Sequence, residues 1–600
     1  MSNQKVENRI CQNCKQNFVI EPEDFNFYEK ISSASGGKVP PPTFCPECRQ
    51  QRRFMWRNER VLYKRFCSLC KKNFISMYPS NTIFPVYCRE CWYSDKWNPM
   101  IYGIDYNFSK PFFEQFQELS KIVPRFGIFQ RNVINSDYSN MVGESRNVYL
   151  SISIVLGSEN IFYSWGVDKS FNIFDSHSIK ESDSLYENIE CEKNYNCQYL
   201  ILSRNCMNSY FLIDCINCNN CMFSFNLRNK RFYIYNKQYS RENYFNEIKK
   251  LNLGSRKSRE SLIYEFEIIK KQAIYRFANI IKSIKSTGDN LLNVKNCINC
   301  FNVHDAENLK NIYRAFLQKD SMDIDYAGKG ELMYEYITGA LNDYNVKFSY
   351  SAFDMVQNVE YIESCISSSN LFGCISIKNK ENIILNKQYT KEEYEALVPK
   401  IIQHMNDMPY VDKKGRIYKY GEFFPAELSS FAYNETIAQE YFPLTKEEVL
   451  EQGYKWADRE ARNYKIEIEN KDIPDHIKDV AEDIENKVIA CEHGGKCKDQ
   501  CTEAFKIIHE ELSFYKRMNI PLPRLCPNCR HYQRLKQRNP LKLWHRRCQC
   551  AGGKSDNGIY ANTISHLHGD GHCPIEFETS YAPDRPEIVY CEKCYQQEVY

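Results

Sequence analysis

The sequence predicts a mixed, mainly β fold. Two β-solenoid-like repeat blocks with a 12-residue period are joined by helices and flanked by small zinc-bound domains. Three observations support this fold class. Cys-x-x-Cys pairs are concentrated near both ends of the chain. Asparagine and aromatic residues recur at intervals of 12 positions in the middle. Charged segments with helical apolar spacing lie beside the repetitive regions.

The composition is that of a folded protein without a secretion or membrane signal. A chain of 600 residues exceeds what one hydrophobic core usually organises, so several domains are expected. Residues 1–10 are polar and lack the apolar centre of a signal peptide. No run approaches the roughly 20 apolar residues of a membrane helix. We therefore expect a soluble cytoplasmic protein with no membrane partner.

The N-terminal region contains two tandem cysteine motifs with zinc-ligand spacing. Their expected ligands are Cys11, Cys14, Cys45 and Cys48 in the first and Cys67, Cys70, Cys88 and Cys91 in the second. In each motif an aromatic residue follows the first Cys-x-x-Cys pair by four positions, and the second pair is expected at a helix start. Zinc requires four ligands in a tetrahedron, which two such pairs supply. Free thiols or disulfides are the alternative, but this pairing in a cytosolic chain favours metal.

The C-terminal region repeats the scheme with less regular pairs. The expected ligands of the third site are Cys497, Cys501, Cys526 and Cys529, with Cys491 and His493 as spare candidates. The fourth site contains Cys573, Cys591 and Cys594 and needs one more ligand. The candidates are His568, His572, Cys550 and Cys548, of which Cys550 or His568 is favoured. We therefore expect about four Zn²⁺ ions per chain.

Zinc also changes the charge of the chain. The formal charge is +3 with neutral thiols, and each four-thiolate zinc site carries −2, so four sites would bring the chain to about −5. The whole protein is therefore not a basic, polymer-binding body. Any affinity for nucleic acid must come from local patches.

The two ends of the chain also match each other. Cys48 and Cys67 have the same separation as Cys529 and Cys548. Between them, Arg49, Arg53, Arg57, Asn58, Leu62 and Arg65 match Arg530, Arg534, Arg538, Asn539, Leu543 and Arg546, and Tyr63 matches Trp544. Both ends of the chain are therefore predicted to contain the same tandem pair of cysteine motifs.

These motifs resemble the probable zinc-ribbon family of treble-clef units. The residues that carry the resemblance are Cys11, Cys14, Phe18, Phe27, Tyr28, Glu29, Cys45, Cys48 and Arg49, and then Cys501, Phe505, Glu511, Phe514, Tyr515, Cys526, Cys529 and Arg530. The overall arrangement is similar to that of large uncharacterised bacterial zinc-finger proteins. The resemblance covers the two ends of the chain and implies small α+β domains that bind zinc. It implies no activity.

The middle of the chain contains the 12-residue repeat. One series passes through Asn160, Asn172, Ser184, Asn196, Asn208, Asn220 and Phe232. A second passes through Asn299, Asn311 and Asp323, loses register, and resumes at Asn358, Asn370 and Asn382. Short aromatic and β-branched runs between Asn, Ser and Asp indicate strands. A β-solenoid with Asn ladders at one corner is favoured, because Asn tolerates left-handed turns. A coil of one repeat period or of two fits the spacing, and a meander of hairpins is the alternative.

The two repeat blocks are copies of each other, since both end in Asn-Lys-Gln-Tyr, at Asn236 and Asn386. Ser240 and Thr390 follow as expected helix N-caps. Leu262, Phe266, Ile269 and Ile274 form the apolar stripe of the first helical segment. The predicted domains are a tandem treble-clef zinc pair at 1–100, a repeat block at 140–239, a helical connector at 240–292, a second repeat block at 293–389, a helical or mixed region at 390–488, and a second zinc pair at 489–600.

The repeat blocks also contain cysteines. Cys215, Cys218 and Cys221 have a spacing that can ligate an iron–sulfur cluster. The favoured alternative is that they are small apolar side chains filling tight coils, since free cysteine is among the most buried residue types.

Arginine-rich segments follow the distal cysteines at both ends. The candidate nucleic-acid contacts are Arg49, Arg53, Trp56, Arg57 and Arg60, and Arg530, Arg534, Arg538, Trp544 and Arg546. Basic side chains beside an aromatic residue can bind phosphates while stacking a base. Alternatively, these arginines offset the charge of the zinc–thiolate centres.

The sequence therefore favours a non-enzymatic zinc protein that contacts RNA or DNA through these arginines. A protein–protein scaffold with zinc modules as structural caps is the alternative. A metal-dependent nuclease is weaker, because its densest candidate cluster, 566–573, overlaps the fourth zinc site. Neither a P-loop nor a nucleophile elbow is present, and no small-molecule substrate is evident.

Overall fold

The computed structural model describes residues 6–32, 37–339, 341–458 and 464–600, most of the regular structure being β-strand. These residues form two compact units. Unit 1 comprises Met1–Phe129, Ala278–Asp458 and Leu541–Leu543, and unit 2 comprises Gln130–Phe277, Arg459–Pro540 and Trp544–Tyr600. Each unit contains a curled parallel sheet and a pair of cysteine motifs. No described helix combines the length and apolar character needed to cross a lipid bilayer.

The curled sheet of unit 2 is built from short strands, most of which pair in parallel with a partner one repeat period further along the chain. For example, Phe171 lies beside Asp183, and Trp165 beside His177. Its strands are Gln130–Arg131, Asn140–Gly143, Arg146–Tyr149, Ile152–Val155, Glu159–Phe162, Trp165–Asp168, Phe171–Phe174, His177–Lys180, Asp183–Tyr186, Ile189–Glu192, Tyr195–Ile201, Tyr210–Ile213, Asn219–Phe225, Arg231–Ile234 and Lys237–Gln238. Before Tyr195 each strand pairs with the next strand but one along the chain, so alternate strands form two separate rows. This parallel pairing does not fit a meander of hairpins, which needs antiparallel neighbours.

The enclosed face of this sheet alternates serine and apolar residues at every third position. Ser170, Ile173, Ser176 and Ile179 are all buried. The serines are satisfied by backbone groups: the amide of Ser182, one repeat away, donates to Ser170 Oγ over 3.1 Å, and Ser170 Oγ donates to the carbonyl of Asp168 over 2.8 Å. The apolar positions stack into a single core that includes Cys215, Cys218 and Cys221. These cysteines therefore pack as small core side chains.

The backbone has positive φ at nearly every third residue of both curled sheets. In one repeat these residues are Asn172, Asp175, Ser178 and Glu181. Asparagine and aspartate tolerate this left-handed geometry better than most residues, which explains their frequency in the sequence. The expected amide ladder is also present, since Asn160 Nδ2 donates to Asn172 Oδ1 over 3.1 Å.

The curled sheet of unit 1 follows the same plan. Its strands, in neighbour order, are Ile280–Ile281, Gly288–Phe316, Gln318–Ala327, Gly330–Gly339, Asp343–Ala352, Gln357–Glu360, Ser369–Phe372, Glu381–Ile384 and Lys387–Gln388. Several neighbours keep the offset of one repeat period, as where Ile312 lies beside Ile324, but Gly330 lies beside Asp343 and Tyr344 beside Gln357, each one position more. These two longer steps interrupt the count after Asp323, and the series resumes at Asn358 in a neighbouring row, that of Asn345.

Both curled sheets end in a hairpin followed by a helix. Ile234 pairs with Lys237, and Ile384 with Lys387, in antiparallel fashion. Ser240 and Thr390 then cap helices by accepting a backbone N–H three residues on, as expected. The first helical segment consists of Arg241–Lys250 and Arg256–Gln272. The expectation that Ile274 belongs to its apolar stripe is wrong, because the helix ends before it and Ile274 lies in a strand beside Ile588.

The remaining elements surround the sheets. In unit 1 the helices are Pro22–Ile31, Pro46–Phe54, Arg89–Tyr93, Phe112–Ile122, Lys391–Asp407, Ala438–Tyr441 and Lys446–Glu451, with 3-10 turns at Pro99–Tyr102, Ala426–Leu428 and Tyr433–Glu435. In unit 2 they are His509–Arg517, Pro527–Leu535 and Glu592–Val599, with 3-10 turns at Asn470–Asp472, Ile477–Asp479 and Glu482–Ile484. Small two-stranded sheets are formed by Val86–Tyr87 with Arg125–Phe126, Tyr410–Val411 with Ile417–Tyr418, and Ile274–Arg276 with Ile588–Tyr590.

Candidate metal centres

Each cysteine motif folds as an antiparallel hairpin followed by a helix. The hairpins are Glu7–Ile10 with Asn17–Ile20, Tyr63–Phe66 with Asn73–Ser76, Ile489–Ala490 with Ala504–Phe505, and Trp544–Arg547 with Glu576–Thr579. The helix N-caps are Cys45, Cys88, Cys526 and Cys591, so the distal cysteine pair lies at a helix start, as expected. The hairpin and the helix thus present sulfur atoms from opposite sides.

Within the described residues, these motifs gather the cysteines into compact groups of four. The groups are Cys11, Cys14, Cys45 and Cys48; Cys67, Cys70, Cys88 and Cys91; Cys491, Cys501, Cys526 and Cys529; and Cys548, Cys573, Cys591 and Cys594. Their sulfur atoms lie within 4.8 Å of one another. Sulfur pairs such as Cys14–Cys45 at 3.7 Å and Cys70–Cys88 at 3.8 Å match the separation of about 3.8 Å in a tetrahedral zinc–thiolate site. These clusters can therefore bind metal.

A backbone amide supports the first sulfur of every cluster. The N–H of Cys45 donates to Cys11 Sγ over 3.2 Å, and the N–H of Cys88 donates to Cys67 Sγ over 3.3 Å. The same bond joins Cys526 N to Cys491 Sγ and Cys591 N to Cys548 Sγ, each over 3.2 Å. Hydrogen bonds to sulfur favour the thiolate, which is the form that binds metal. Cys11, Cys67, Cys491 and Cys548 are therefore equivalent positions.

The pKa of the thiol varies from one cysteine to another in both the clusters and the repeat blocks. Hydrogen bonding from the backbone at Lys72, with help from Cys91, lowers the pKa of Cys70 to about 7, so this thiol readily becomes a thiolate near neutral pH. Burial instead raises the pKa of Cys191 and Cys197 to about 12. These two remain protonated and donate to backbone carbonyls of the curled sheet. The grouping of four sulfurs favours metal binding at the chain ends, and the bonds to backbone carbonyls favour packing at Cys191 and Cys197.

The third and fourth clusters differ from the sequence-based assignments. Cys491 takes the place expected for Cys497, whose sulfur lies 3.6 Å from Cys529 Sγ beside the four-cysteine group. Cys548 takes the place expected for Cys550 or His568. The reason is that longer segments separate the two hairpin ligands here than in the first two motifs. The equal spacing of Cys48–Cys67 and Cys529–Cys548 is the signal that identifies Cys548.

Cys550 and His568 lie in a second group. With His566 and Cys594, they form a cluster of potential ligands, all within 4.8 Å of one another. The sequence analysis placed His566 in the nuclease candidate cluster 566–573 but not among the expected zinc ligands. A metal ion with four protein ligands has no open position for water, so this geometry favours a structural site over a nuclease centre.

The helix Pro46–Phe54, called here the first arginine helix, packs against the curled sheet of unit 1. Arg49 Nη2 lies 2.8 Å from Asp323 Oδ2, and Arg53 Nη1 lies 2.8 Å from Glu335 Oε2. Arg53 Nε also contacts Asp325 at 2.7 Å. All five side chains are at most 3% exposed. Burial raises the pKa of Asp325 to about 6, an effect that the Arg53 guanidinium opposes.

The helix Pro527–Leu535, the second arginine helix, makes the equivalent contacts in unit 2. Arg530 forms an ion pair with Asp175, and Arg534 Nη1 lies 2.9 Å from Asp175 Oδ1 and 3.1 Å from Glu187 Oε1. Asp175 and Glu187 are one repeat apart with left-handed backbone, as are Asp323 and Glu335. The match between the ends of the chain therefore extends to an Asp and a Glu in each sheet.

Most of the residues expected to contact nucleic acid are buried. Arg49, Arg53, Trp56, Arg57, Arg530, Arg534 and Arg538 are buried within their units. Arg60 and Arg546 are half-buried, and Arg546 donates to the carbonyls of Tyr581 and Ala582. Trp544 is half-buried in a hairpin strand. Phosphate contacts require accessible guanidinium groups, whereas the arginines on the two helices already pair with carboxylates of the curled sheets.

Smaller details repeat as well. Arg65 donates to the carbonyl of Pro79 over 2.7 Å, as Arg546 does to that of Tyr581 over 3.3 Å. Asn58 Nδ2 donates to the carbonyl of Met77, and Asn539 Nδ2 to Ser580 Oγ. Each of these acceptors lies just beyond the second strand of the second hairpin in its pair. The paired motifs are therefore equivalent in three dimensions.

Comparison with known proteins adds no relative. No protein-family model matches this chain, and no curated protein is detectably similar to it. The resemblance to zinc-ribbon units therefore rests on the motifs themselves, and function has to be argued from the clusters and their surroundings.

Proposed function

We propose that this protein is a non-enzymatic, zinc-dependent scaffold for protein–protein interactions. In this proposal, zinc modules at the chain ends act as structural caps that brace two repeat blocks. The single observation that carries it is the burial of the arginine helices. Arg53 and Arg534 are at most 1% exposed and contact carboxylates of the curled sheets. Such side chains hold a module against a sheet and are poorly placed to meet a phosphate.

Zinc is the proposed metal because four thiolates in a tetrahedron are its preferred structural environment. The hairpin-plus-helix form of each motif supports its assignment as a treble clef. Cys45 and Cys526 are both cluster members and the N-caps of the arginine helices. A small module of this kind gains most of its folding free energy from the metal. Zinc binding would therefore order the arginine helices and, through them, the sheets.

We also infer that each curled sheet is a β-solenoid in which one coil corresponds to one repeat period. The parallel offset of a single period supports this, as do the four buried positions and four left-handed positions within each repeat. A four-sided coil with one inward residue on each side accounts for both patterns. Stacked coils of this kind provide long, regular outer faces suited to binding other proteins.

One outer ladder in unit 2 supports a protein partner. Phe171, Tyr195 and Met207 are 44%, 49% and 43% exposed. They occupy one register series, which also includes Arg146, Glu159, Asp183, Asn219 and Arg231. Exposed apolar side chains interleaved with acidic, basic and polar ones are typical of protein interfaces.

The test compares Arg534→Gln with the control Lys506→Gln. Lys506 lies in the third cysteine motif and is exposed. Zinc content, resistance to limited proteolysis, and binding to single-stranded RNA and duplex DNA would be measured for both variants. We expect Arg534→Gln to keep its zinc and become sensitive to protease, while the control behaves as wild type. Tight nucleic-acid binding that is lost in a protease-resistant Arg534→Gln variant would contradict the proposal.

A further inference from the structure

The hairpin of the fourth cysteine motif contains a long insertion. In the first two motifs the hairpin cysteines are Cys11 with Cys14 and Cys67 with Cys70, whereas in the fourth they are Cys548 and Cys573. The intervening segment, 549–572, carries Cys550, His566 and His568. Besides the exposed His572, three clustered potential metal ligands in one insertion require an explanation beyond the four-cysteine cluster.

These ligands converge on one point. Cys550 Sγ lies 3.3 Å from His566 Nδ1 and 3.2 Å from His568 Nε2. Sulfur and nitrogen ligands of one tetrahedral zinc ion are separated by about 3.5 Å. The fourth member of the group is Cys594 Sγ. Cys550 and Cys594 are buried, at 0% and 1% exposure.

Neighbouring side chains orient the insertion ligands. His566 Nε2 lies 2.9 Å from Glu598 Oε1, and both side chains are fully buried. An ionised carboxylate can only accept, so Nε2 carries the proton and the lone pair of Nδ1 points toward Cys550. Asn562 Nδ2 donates to Cys550 Sγ over 3.2 Å. Carboxylate-oriented histidine and hydrogen-bonded thiolate are typical surroundings of a structural zinc ligand.

We propose that the fourth module binds two zinc ions bridged by the Cys594 thiolate. One ion is held by Cys548, Cys573, Cys591 and Cys594, and the second by Cys550, His566, His568 and Cys594. Cys594 belongs to both groups, and it is the residue through which the two sites meet. This inference rests on the proposed zinc occupancy of the four-cysteine cluster and adds a further ion to it.

Charge supports a shared thiolate. A four-thiolate site alone carries −2, whereas two zinc ions with five thiolates and two neutral histidines carry −1. The additional ion therefore reduces the net negative charge of this buried site. It also supplies the insertion with a tether, which the segment needs because its apolar residues are exposed. Leu567 is 86% exposed and Ile559 54% exposed. A short polar segment of this kind usually needs a metal or disulfide to become ordered.

The first experiment is metal counting by native mass spectrometry of the intact chain. His568→Ala and Cys550→Ser remove ligands of the second ion only, while the control His572→Ala changes an exposed histidine of the same insertion. We expect each ligand variant to hold one zinc ion fewer than the wild type, and the control to hold the same number. Equal zinc content in the wild type and both ligand variants would overturn the proposal.

A second measurement addresses a variant that loses more than one ion through unfolding. Replacement of zinc by ¹¹³Cd in the wild-type chain gives one NMR resonance per site. The bridge predicts two resonances with mutual scalar coupling through Cys594, and their absence would overturn the bridge. Neither readout involves the arginine helices. A chain that loses no ion on ligand removal but still depends on Arg534 for protease resistance would disprove this inference and leave the scaffold proposal intact.

Discussion

Arg53 shows how a charged side chain becomes part of a core. It is fully buried, yet its guanidinium contacts Asp325 at 2.7 Å and Glu335 at 2.8 Å. Neighbouring Arg52 adds contacts to Glu335 and Glu422, each at 3.0 Å. Buried charges are tolerated only where such partners exist, because desolvation of an unpaired ion is costly.

Removal of one partner should therefore be severe. We expect Arg53→Gln to lower the free energy of unfolding by about 3–5 kcal/mol, since Asp325 and Glu335 would remain buried with less compensation. Lys64→Gln, which changes an exposed cation in the hairpin of the second motif, should change it by less than about 0.5 kcal/mol. Denaturant unfolding measures the free energy of unfolding of both variants. Equal stability of the two variants would show that the ion pairs of Arg53 do not stabilise the fold.

A pH dependence is expected from Asp343. Burial raises the pKa of this carboxyl to about 7, and its oxygens contact the N–H of Val356 and the hydroxyl of Tyr336. An unfolded aspartate has a pKa of about 3.9, so the folded state holds the proton more tightly. The stabilisation is complete below the unfolded value and is lost as pH rises through about 7.

The unfolding free energy should thus fall between about pH 4 and pH 7, by at most roughly 1.4 kcal/mol per pH unit from this group. Asp343→Asn keeps the shape and removes the titration. Comparison of the two proteins at each pH cancels the effect of pH on metal binding. A constant stability difference across this range would contradict the assignment.

The sequence predicts some site residues better than others. Regular Cys-x-x-Cys spacing identifies all ligands of the first two clusters. Insertions break that spacing in the other two motifs, so the sequence offers Cys491 only as a spare candidate and His566 only as part of the nuclease candidate cluster. The burial of Arg53 cannot be predicted from its own segment, because Asp325 and Glu335 lie far along the chain. The repeat period does place Asp323 and Glu335 one repeat apart, but charge pairing with a distant helix requires the fold.

At the scale of the element, the repeat depends on left-handed residues. Asn196 and Asn208 have φ of 52° and 49°, and Asn196 Nδ2 donates to Asn208 Oδ1 over 2.8 Å. This backbone conformation costs most residues about 1–2 kcal/mol, whereas glycine adopts it freely. Asparagine therefore contributes both backbone tolerance and a bond to the next repeat.

Two substitutions at one position separate these contributions. Asn208→Gly keeps the backbone conformation and loses the ladder bond, so we expect a loss of about 1 kcal/mol. Asn208→Ala loses the bond and adds left-handed strain, so we expect a loss of about 2–3 kcal/mol. Thermal unfolding of both variants measures which of the two is less stable. An alanine variant as stable as the glycine variant would rule out the left-handed account.

The spacing of asparagine and aromatic residues predicts the strands and their period. It does not predict the finer substructure, in which every third side chain points inward. Alternation of Ser170 with Ile173 and Ser176 with Ile179 on the enclosed face conceals the core, because half of the inward positions are polar. Hydrogen bonds between repeats satisfy those serines, and such bonds leave no trace in hydropathy. The longer offsets between paired strands at Gly330 and Tyr344 also interrupt the repeat period of the sequence.

At the scale of the whole molecule, both units combine the same parts. Each has a curled parallel sheet, a capped helix after it, an arginine helix, and a pair of cysteine motifs. The N-terminal motifs belong to the same unit as residues 278–458, and the C-terminal motifs to the same unit as residues 130–277. Contacts thus join distant parts of the chain, which linear sequence patterns do not reveal.

Under the proposed function, this arrangement makes metal central to the stability of the sheets. Chelation of zinc should disorder the cysteine motifs, whose helices begin at ligand cysteines. The arginine helices would then release Asp323 and Glu335 in unit 1 and Asp175 and Glu187 in unit 2. Those carboxylates would be left without partners, so the adjoining strands should open more often.

Hydrogen–deuterium exchange with and without zinc tests this claim most directly. Amide protection would be measured by mass spectrometry in the strands Gln318–Ala327 and Phe171–Phe174 and, as internal references, in Glu381–Ile384 and Asn140–Gly143. We predict that chelation strongly reduces protection in the first two strands, less so in the references, and that added zinc restores it. Loss of amide protection confined to the cysteine motifs, with all four strands unchanged, would contradict the account in which the zinc modules stabilise the sheets.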